Sequence, residues 1–177
     1  MASDMHGPGE AIPTAICTWF VKDSTEDATY FPQVGLNSDD SKAQATYWRC
    51  VICFFASSLA ANKLSQHIFF TNTAIPLVEG IDIERILLEW GVNIVYLPIS
   101  SRLPRGTVKT WGNQFYIFDI IRYLSDRGAA DNFLILDSDC IWIRTIDEME
   151  RELQKYGIIT YEIYQTDPRD RIINGVS

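Results

Sequence analysis

Four short apolar runs, each separated from the next by a stretch of helical periodicity, constrain the fold of this chain more than any other feature. They are "AIPTAICTWFV" (11–21), "HIFFTN" (67–72), "NIVYLPI" (93–99) and "NFLILDS" (132–138). All are rich in β-branched and aromatic residues, and Pro98 closes the third. Between the first two, the chain from Ala45 to about Asn62 is apolar almost all round, as in a helix packed on several sides. Asp82 then caps a second helix whose Ile83, Ile86, Leu87 and Trp90 fall on one face, with Gly91 just beyond its end. A third helix runs from Asn113, its cap, to about Arg127 and stops at Gly128. Thr145 and Glu148 form a capping box for a fourth, with Ile146, Met149, Leu153 and Tyr156 on one stripe and Gly157 as its stop. "GIITYEI" (157–163) reads as a fifth strand and "RIINGVS" (171–177) as the start of a sixth.

Strands alternating with helices specify an α/β fold, a mainly parallel sheet covered on both faces and joined by right-handed crossovers. The near-continuous apolar strands agree. A length of 177 residues fits one domain, read as a polar tail at 1–11 and an α/β domain at 12–177. Because "INGVS" breaks off inside a strand pattern, the domain is expected to be incomplete at its C-terminus.

A net charge of −8 and a pI near 4.7 exclude a general nucleic-acid binder, which needs a basic face. No secretory signal and no apolar run long enough to span a bilayer are present, so a soluble, cytoplasmic protein is expected. Cys17, Cys50, Cys53 and Cys140 fit reduced thiols. Cys50 and Cys53 form a lone CxxC inside a helical pattern, with no second pair, and read as core packing rather than a zinc or redox site.

The fourth strand runs into Asp137, Ser138 and Asp139. Fourteen aspartates in 177 residues supply about one Asp-x-Asp by chance, so position must carry the inference. On a continuing strand the two carboxylates would share a side about 7 Å apart, a repulsion of about 2 kcal/mol at an effective dielectric of 20. A divalent cation, Mg²⁺ or Mn²⁺, removes that cost. In the common strand order 3-2-1-4, "DSD" faces the end of strand one at the point where the order reverses, the usual ligand crevice of such sheets. That places it across from Cys17, Thr18, Trp19 and Phe20 and near Cys140. Trp19 and Phe20 are candidates to stack on a base or to join the core. Asn72 and Thr73 are candidates to bond base or ribose, or to form a turn. Arg102, Arg105 and Lys109 form a basic island in the loop 100–112, suited to a diphosphate or simply solvated, and Asn113 adds a helix N-terminus. The alternative for the aspartates is turn capping with Arg144. Asp119 and Arg122 read as a structural ion pair, and neither His6 nor His67 as a general base.

In the order and spacing of "YWRCVICFFASSLAANK", "HIFFTN", "GVNIVYLPI", "WGNQFYIFDIIRYL", "NFLILDSDCIWI" and "IINGVS", the chain resembles the N-terminal donor-binding part of A-type glycosyltransferases, bacterial members above all. The resemblance implies a Rossmann-like nucleotide-diphospho-sugar transferase fold and transfer of a sugar from a nucleotide-diphosphate donor, UDP favoured. It also implies Mn²⁺ or Mg²⁺ at Asp137 and Asp139, nucleotide contacts at Asp137 and Ser138, and base contacts from residues 18 to 20. The residues that normally supply acceptor contacts and a catalytic base lie beyond the matching region, leaving acceptor and stereochemistry open. Two alternatives come from other classes. One is a haloacid-dehalogenase-type phosphotransferase, whose DxD normally follows the first strand. The other is a non-catalytic module, self-associating through a C-terminal sheet edge.

Overall fold

The computed structural model describes residues 14–23, 28, 30–31, 35–101, 112–127 and 132–159. Four parallel strands form the central sheet: β1 (Thr14–Phe20), β2 (Gln66–Thr71), β3 (Asn93–Tyr96) and β4 (Asn132–Ile135). Their spatial order is β3-β2-β1-β4, the reversal expected from the sequence. Cys17 pairs in register with Ile68 on one side and Ile135 on the other, so β1 lies at the centre.

The strands alternate their side chains between two cores, and this alternation decides which helix covers which face. Ile16, Phe20 and Phe69 meet Trp48, Val51, Phe54 and Phe55 of α1 (Ser41–Ala61) and Ile83 and Leu87 of α2 (Ile83–Glu89). On the opposite face Ala15, Cys17, Ile68 and Phe70 meet Tyr116, Ile120 and Leu124 of α3 (Tyr116–Arg127). The molecule is therefore a three-layer α/β arrangement. The last helix, α4 (Asp147–Tyr156), has no buried residue of its own; Ile146, just before it, joins the α1-side core.

Several boundaries differ from the sequence reading for identifiable reasons. Helix α1 starts at Ser41 rather than Ala45, because the Asp40 carboxylate accepts the Lys42 amide at 2.8 Å and caps it. It packs through a broad stripe and leaves Arg49, Cys53, Ala56 and Ala60 exposed, so it is not enclosed on several sides and Cys53 is no core residue. The cap of α2 is as expected: Asp82 accepts from the Arg85 amide at 3.0 Å. A short antiparallel pair, Leu77–Val78 with Ile81–Asp82, precedes it, turning on Glu79 and Gly80 at φ 51° and 81°. Positive φ at both turn positions is the geometry of a tight hairpin. The capping box at α4 does not form. Ile146 occupies the cap position without a side-chain hydrogen bond, its amide donates to Asn62 Oδ1 at 2.8 Å, and Glu148 faces Arg144 at 3.6 Å. The expected stripe on α4 is only partly realised, with Met149 and Tyr156 exposed. Of the expected fifth strand, residues 157–159 are irregular; its remainder, the sixth strand and the tail 1–11 lie outside the described residues.

Candidate functional site

β4 stops at Ile135, two residues before the first aspartate. The Leu136 amide still donates to Cys17 O at 3.0 Å, after which the chain leaves the sheet. Asp137 to Cys140 form a turn closed by the Cys140 amide on Asp137 O at 3.2 Å. The two carboxylates therefore do not stand side by side on a strand, and the separation of about 7 Å drawn from strand geometry does not apply. Their mutual field persists. Desolvation, then Asp139, push the Asp137 carboxyl above its ordinary value. Both residues are exposed, Ser138 between them is buried, and no ion pair among the described residues reaches either carboxylate, Arg144 being turned to Glu148.

The turn stands at the carboxyl end of β4, beside β1, where the strand order reverses. Helix α1 rises from the loop after β1 and so opens at the same edge. Its Tyr47 packs with Leu136 and Cys140 against one core cluster and feels both carboxylates. Burial, then Asp139, raise the Cys50 thiol, and the same two causes followed by Asp137 raise Cys140. The acidic turn is thus walled by α1. The sequence reading missed Tyr47 and Cys50, although a helix that starts after β1 in this strand order must bring its first turns to the DSD edge.

The remaining candidates separate. Phe20 is 7% exposed and packs on Trp48 with ring centroids 4.2 Å apart, so it belongs to the core. Trp19 packs, partly buried, on the α3 side. Thr18 is fully buried and its Oγ1 has no partner among the described residues. Asn72 acts as a brace: its Oδ1 accepts the Lys22 amide at 2.8 Å and its Nδ2 donates to Lys22 O at 2.9 Å, tying the ends of β1 and β2 together. Thr73 shares that turn, its amide 3.4 Å from Thr71 Oγ1. Arg102, Arg105 and Lys109 lie outside the described residues. Asn113 sits inside a 3₁₀ turn, Gly112–Phe115, three residues before α3, and its buried Oδ1 has no partner among the described residues, so it does not cap the helix.

Asp119 and Arg122 do pair, at 3.0 Å. The carboxylate does more than this. It accepts from the Ser100 and Ser101 amides at 2.8 and 3.0 Å and from both serine hydroxyls, fixing the entrance of the basic loop. Burial alone would raise its pKa; the serine hydrogen bonds outweigh that and hold it below the ordinary carboxylate value. Cys17 and Cys140 face opposite cores, and all four cysteines are free. Burial pushes the Cys17 thiol up to about 12. His67 is buried, 2.9 Å from Ser58 Oγ, with its pKa lowered chiefly by burial.

The chemistry open to the acidic turn is that of a hard cation. No group of three or more His, Cys, Asp or Glu residues among those described is arranged to enclose a metal. Two exposed carboxylates without a basic partner among the described residues nevertheless fit Mg²⁺ or Mn²⁺, which takes one or two protein carboxylates and fills its remaining positions with phosphate and water oxygens. A largely apolar cleft of about 550 Å³ lies between Leu136, Cys140–Thr145 and α4, with Trp142, Ile143 and Met149 in its wall. That lining suits neither metal nor diphosphate, although Leu136 and Cys140, on either side of the acidic turn, belong to it. No helix among the described residues is long and apolar enough to cross a membrane. No family model, curated protein or solved structure matches this chain.

Proposed function

We propose that the chain is the donor-binding part of a metal-dependent, A-type glycosyltransferase with a nucleotide-diphospho-sugar transferase fold, acting in the cytoplasm on a nucleotide-diphosphate sugar, UDP favoured. One observation carries the reading: Asp137 and Asp139 occupy the turn after the fourth strand, at the reversal of a parallel β3-β2-β1-β4 sheet. Ligands of such sheets collect at that crevice, and an acidic turn there suits a cation-bridged diphosphate. Burial first and then the neighbouring Asp139 raise the Asp137 carboxyl, and a cation bound there would oppose both.

In this reading Asp137 and Asp139 hold the cation, and Ser138 shapes the turn that presents them. Bound there, Mn²⁺ or Mg²⁺ supplies Lewis-acid neutralisation of the departing diphosphate. Asp119 anchors Ser100 and Ser101 at the head of the basic loop, and Arg105 and Lys109 are assigned to the diphosphate from the sequence of that loop. A haloacid-dehalogenase-type phosphotransferase is less well supported, because its nucleophilic aspartate follows the first strand, whereas Asp137 follows the fourth.

Titration calorimetry with UDP, in Mn²⁺ and in EDTA, tests the assignment. Binding that requires Mn²⁺ and disappears in Asp139→Ala supports it. Phosphatase turnover centred on Asp137 would replace it with the phosphotransferase, and absence of nucleotide binding with a non-catalytic module.

A further inference from the structure

Past the acidic turn, Trp142 is pinned to α1: its amide donates to Ser57 Oγ at 3.1 Å and its ring meets Phe54 at 6.4 Å between centroids. The isoleucines on either side of it are left out of the core, Ile141 at 66% and Ile143 at 86% exposure. With Met149 and Ile159, both also exposed, they wall the cleft of about 550 Å³. A contiguous aliphatic surface of this kind marks a place of contact. The ionic groups around it are Arg144, Glu148 and Glu152. Arg144 faces Glu148, and no ion pair among the described residues reaches Glu152, so the rim is acidic on balance. A fitting occupant combines aliphatic side chains with a cation.

Ile159 belongs to the wall, so the residues that follow it leave from the cleft itself. Two apolar stretches come next in the sequence, "YEIY" (161–164) and "RIINGV" (171–176). The first carries Glu162, which the acidic rim repels. The second joins Ile172, Ile173 and Val176 to Arg171, with Arg169 just before it. The twelve positions from Ile159 to Arg171 reach about 40 Å at full extension, enough to double back over the cleft. A tether this short also holds the segment at an effective concentration on the order of millimolar, above that of a second copy in dilute solution.

We propose that residues 171–176 dock in this cleft within the same chain, Ile172 and Ile173 covering Ile141, Ile143 and Met149, and Arg171 set at Glu152. Because Leu136 and Cys140 line the cleft and flank Asp137 and Asp139, the docked segment also backs the acidic turn. The inference is independent of the donor-binding reading.

Thiol labelling of the full chain carrying Ile143→Cys tests it, with exposed Cys53 as the internal reference and each site read by mass spectrometry. Docking populated about ten to one over release should slow labelling at position 143 by about tenfold relative to Cys53. Adding Ile172→Asp and Ile173→Asp should bring it back to the Cys53 rate, and a thermal melt of each variant reports whether the domain is intact. Met149→Cys should repeat the pattern from the α4 side. Labelling at position 143 as fast as at Cys53 without the aspartates, or slow labelling that they leave unchanged, overturns the proposal. Protection that weakens on dilution would overturn it in favour of a second copy as the occupant.

Discussion

Replacing Asp119 with alanine removes the acceptor for two backbone amides and two serine hydroxyls at once. The residue is 2% exposed, so its carboxylate is not replaced by bulk water without rearrangement. A hydrogen bond to a charged group contributes about 1.5–3 kcal/mol, and an abandoned buried donor costs about 1–3 kcal/mol. Ser100 is exposed and can turn to solvent, which limits the loss at that position. Arg122 is 63% exposed in its side chain, so the ion pair itself adds at most about 1 kcal/mol. The expected loss is about 3 kcal/mol, or a melting temperature lower by about 6–12 °C for a chain of this size. The pH dependence follows from the depressed carboxyl. A group whose folded pKa lies below its unfolded value contributes stability that is fully present above the unfolded value, about 3.9, and lost as pH falls through the folded one. Urea unfolding of wild type and Asp119→Ala should therefore show a constant gap from about pH 8 to pH 5 and a narrowing gap below about pH 4. A gap under about 1 kcal/mol at neutral pH, or one that widens on acidification, would refute the reasoning.

Three further outcomes follow from the same contacts. Asp82→Ala should cost about 1 kcal/mol in urea unfolding through loss of a helix cap, whereas Thr145→Ala should be neutral because no side chain caps α4. In the native protein a thiol reagent followed by mass spectrometry should label exposed Cys53 first and leave Cys17, buried and raised to about 12, unmodified until unfolding. Asp137→Asn should raise the melting temperature of metal-free protein at neutral pH. A carboxyl raised in the folded state withdraws stability as pH climbs through its folded value, so the gain should vanish below the ordinary carboxylate range.

The sheet was legible because its signals are local and redundant. Apolar runs named the four strands, Asp82 and Gly91 bracketed α2, and Gly157, at φ 77°, closed α4. Partnership was less legible, since it depends on what arrives from elsewhere in the chain. Thr145 and Glu148 have capping-box spacing, but Asn62 captures the Ile146 amide and Arg144 faces Glu148. Asn72 has the composition of a ligand contact, yet both ends of its amide are taken by Lys22, 50 residues away. Phe20 and Trp19 alternate between the two faces of β1, and nothing in the run itself says that Trp48 closes over Phe20. The place of Asp137 and Asp139 followed from strand order, but their conformation did not, because β4 ends at Ile135, two residues before Asp137.

The central claim is that Asp137 and Asp139 hold a divalent cation together with a nucleotide diphosphate. Electron paramagnetic resonance of free Mn²⁺, titrated into protein with UDP present, tests it most directly. Uptake of one Mn²⁺ per chain, dependent on UDP beyond what UDP alone removes and abolished in Asp139→Asn, is the predicted result. The same uptake in wild type and in an Asp137→Asn, Asp139→Asn double variant would contradict it.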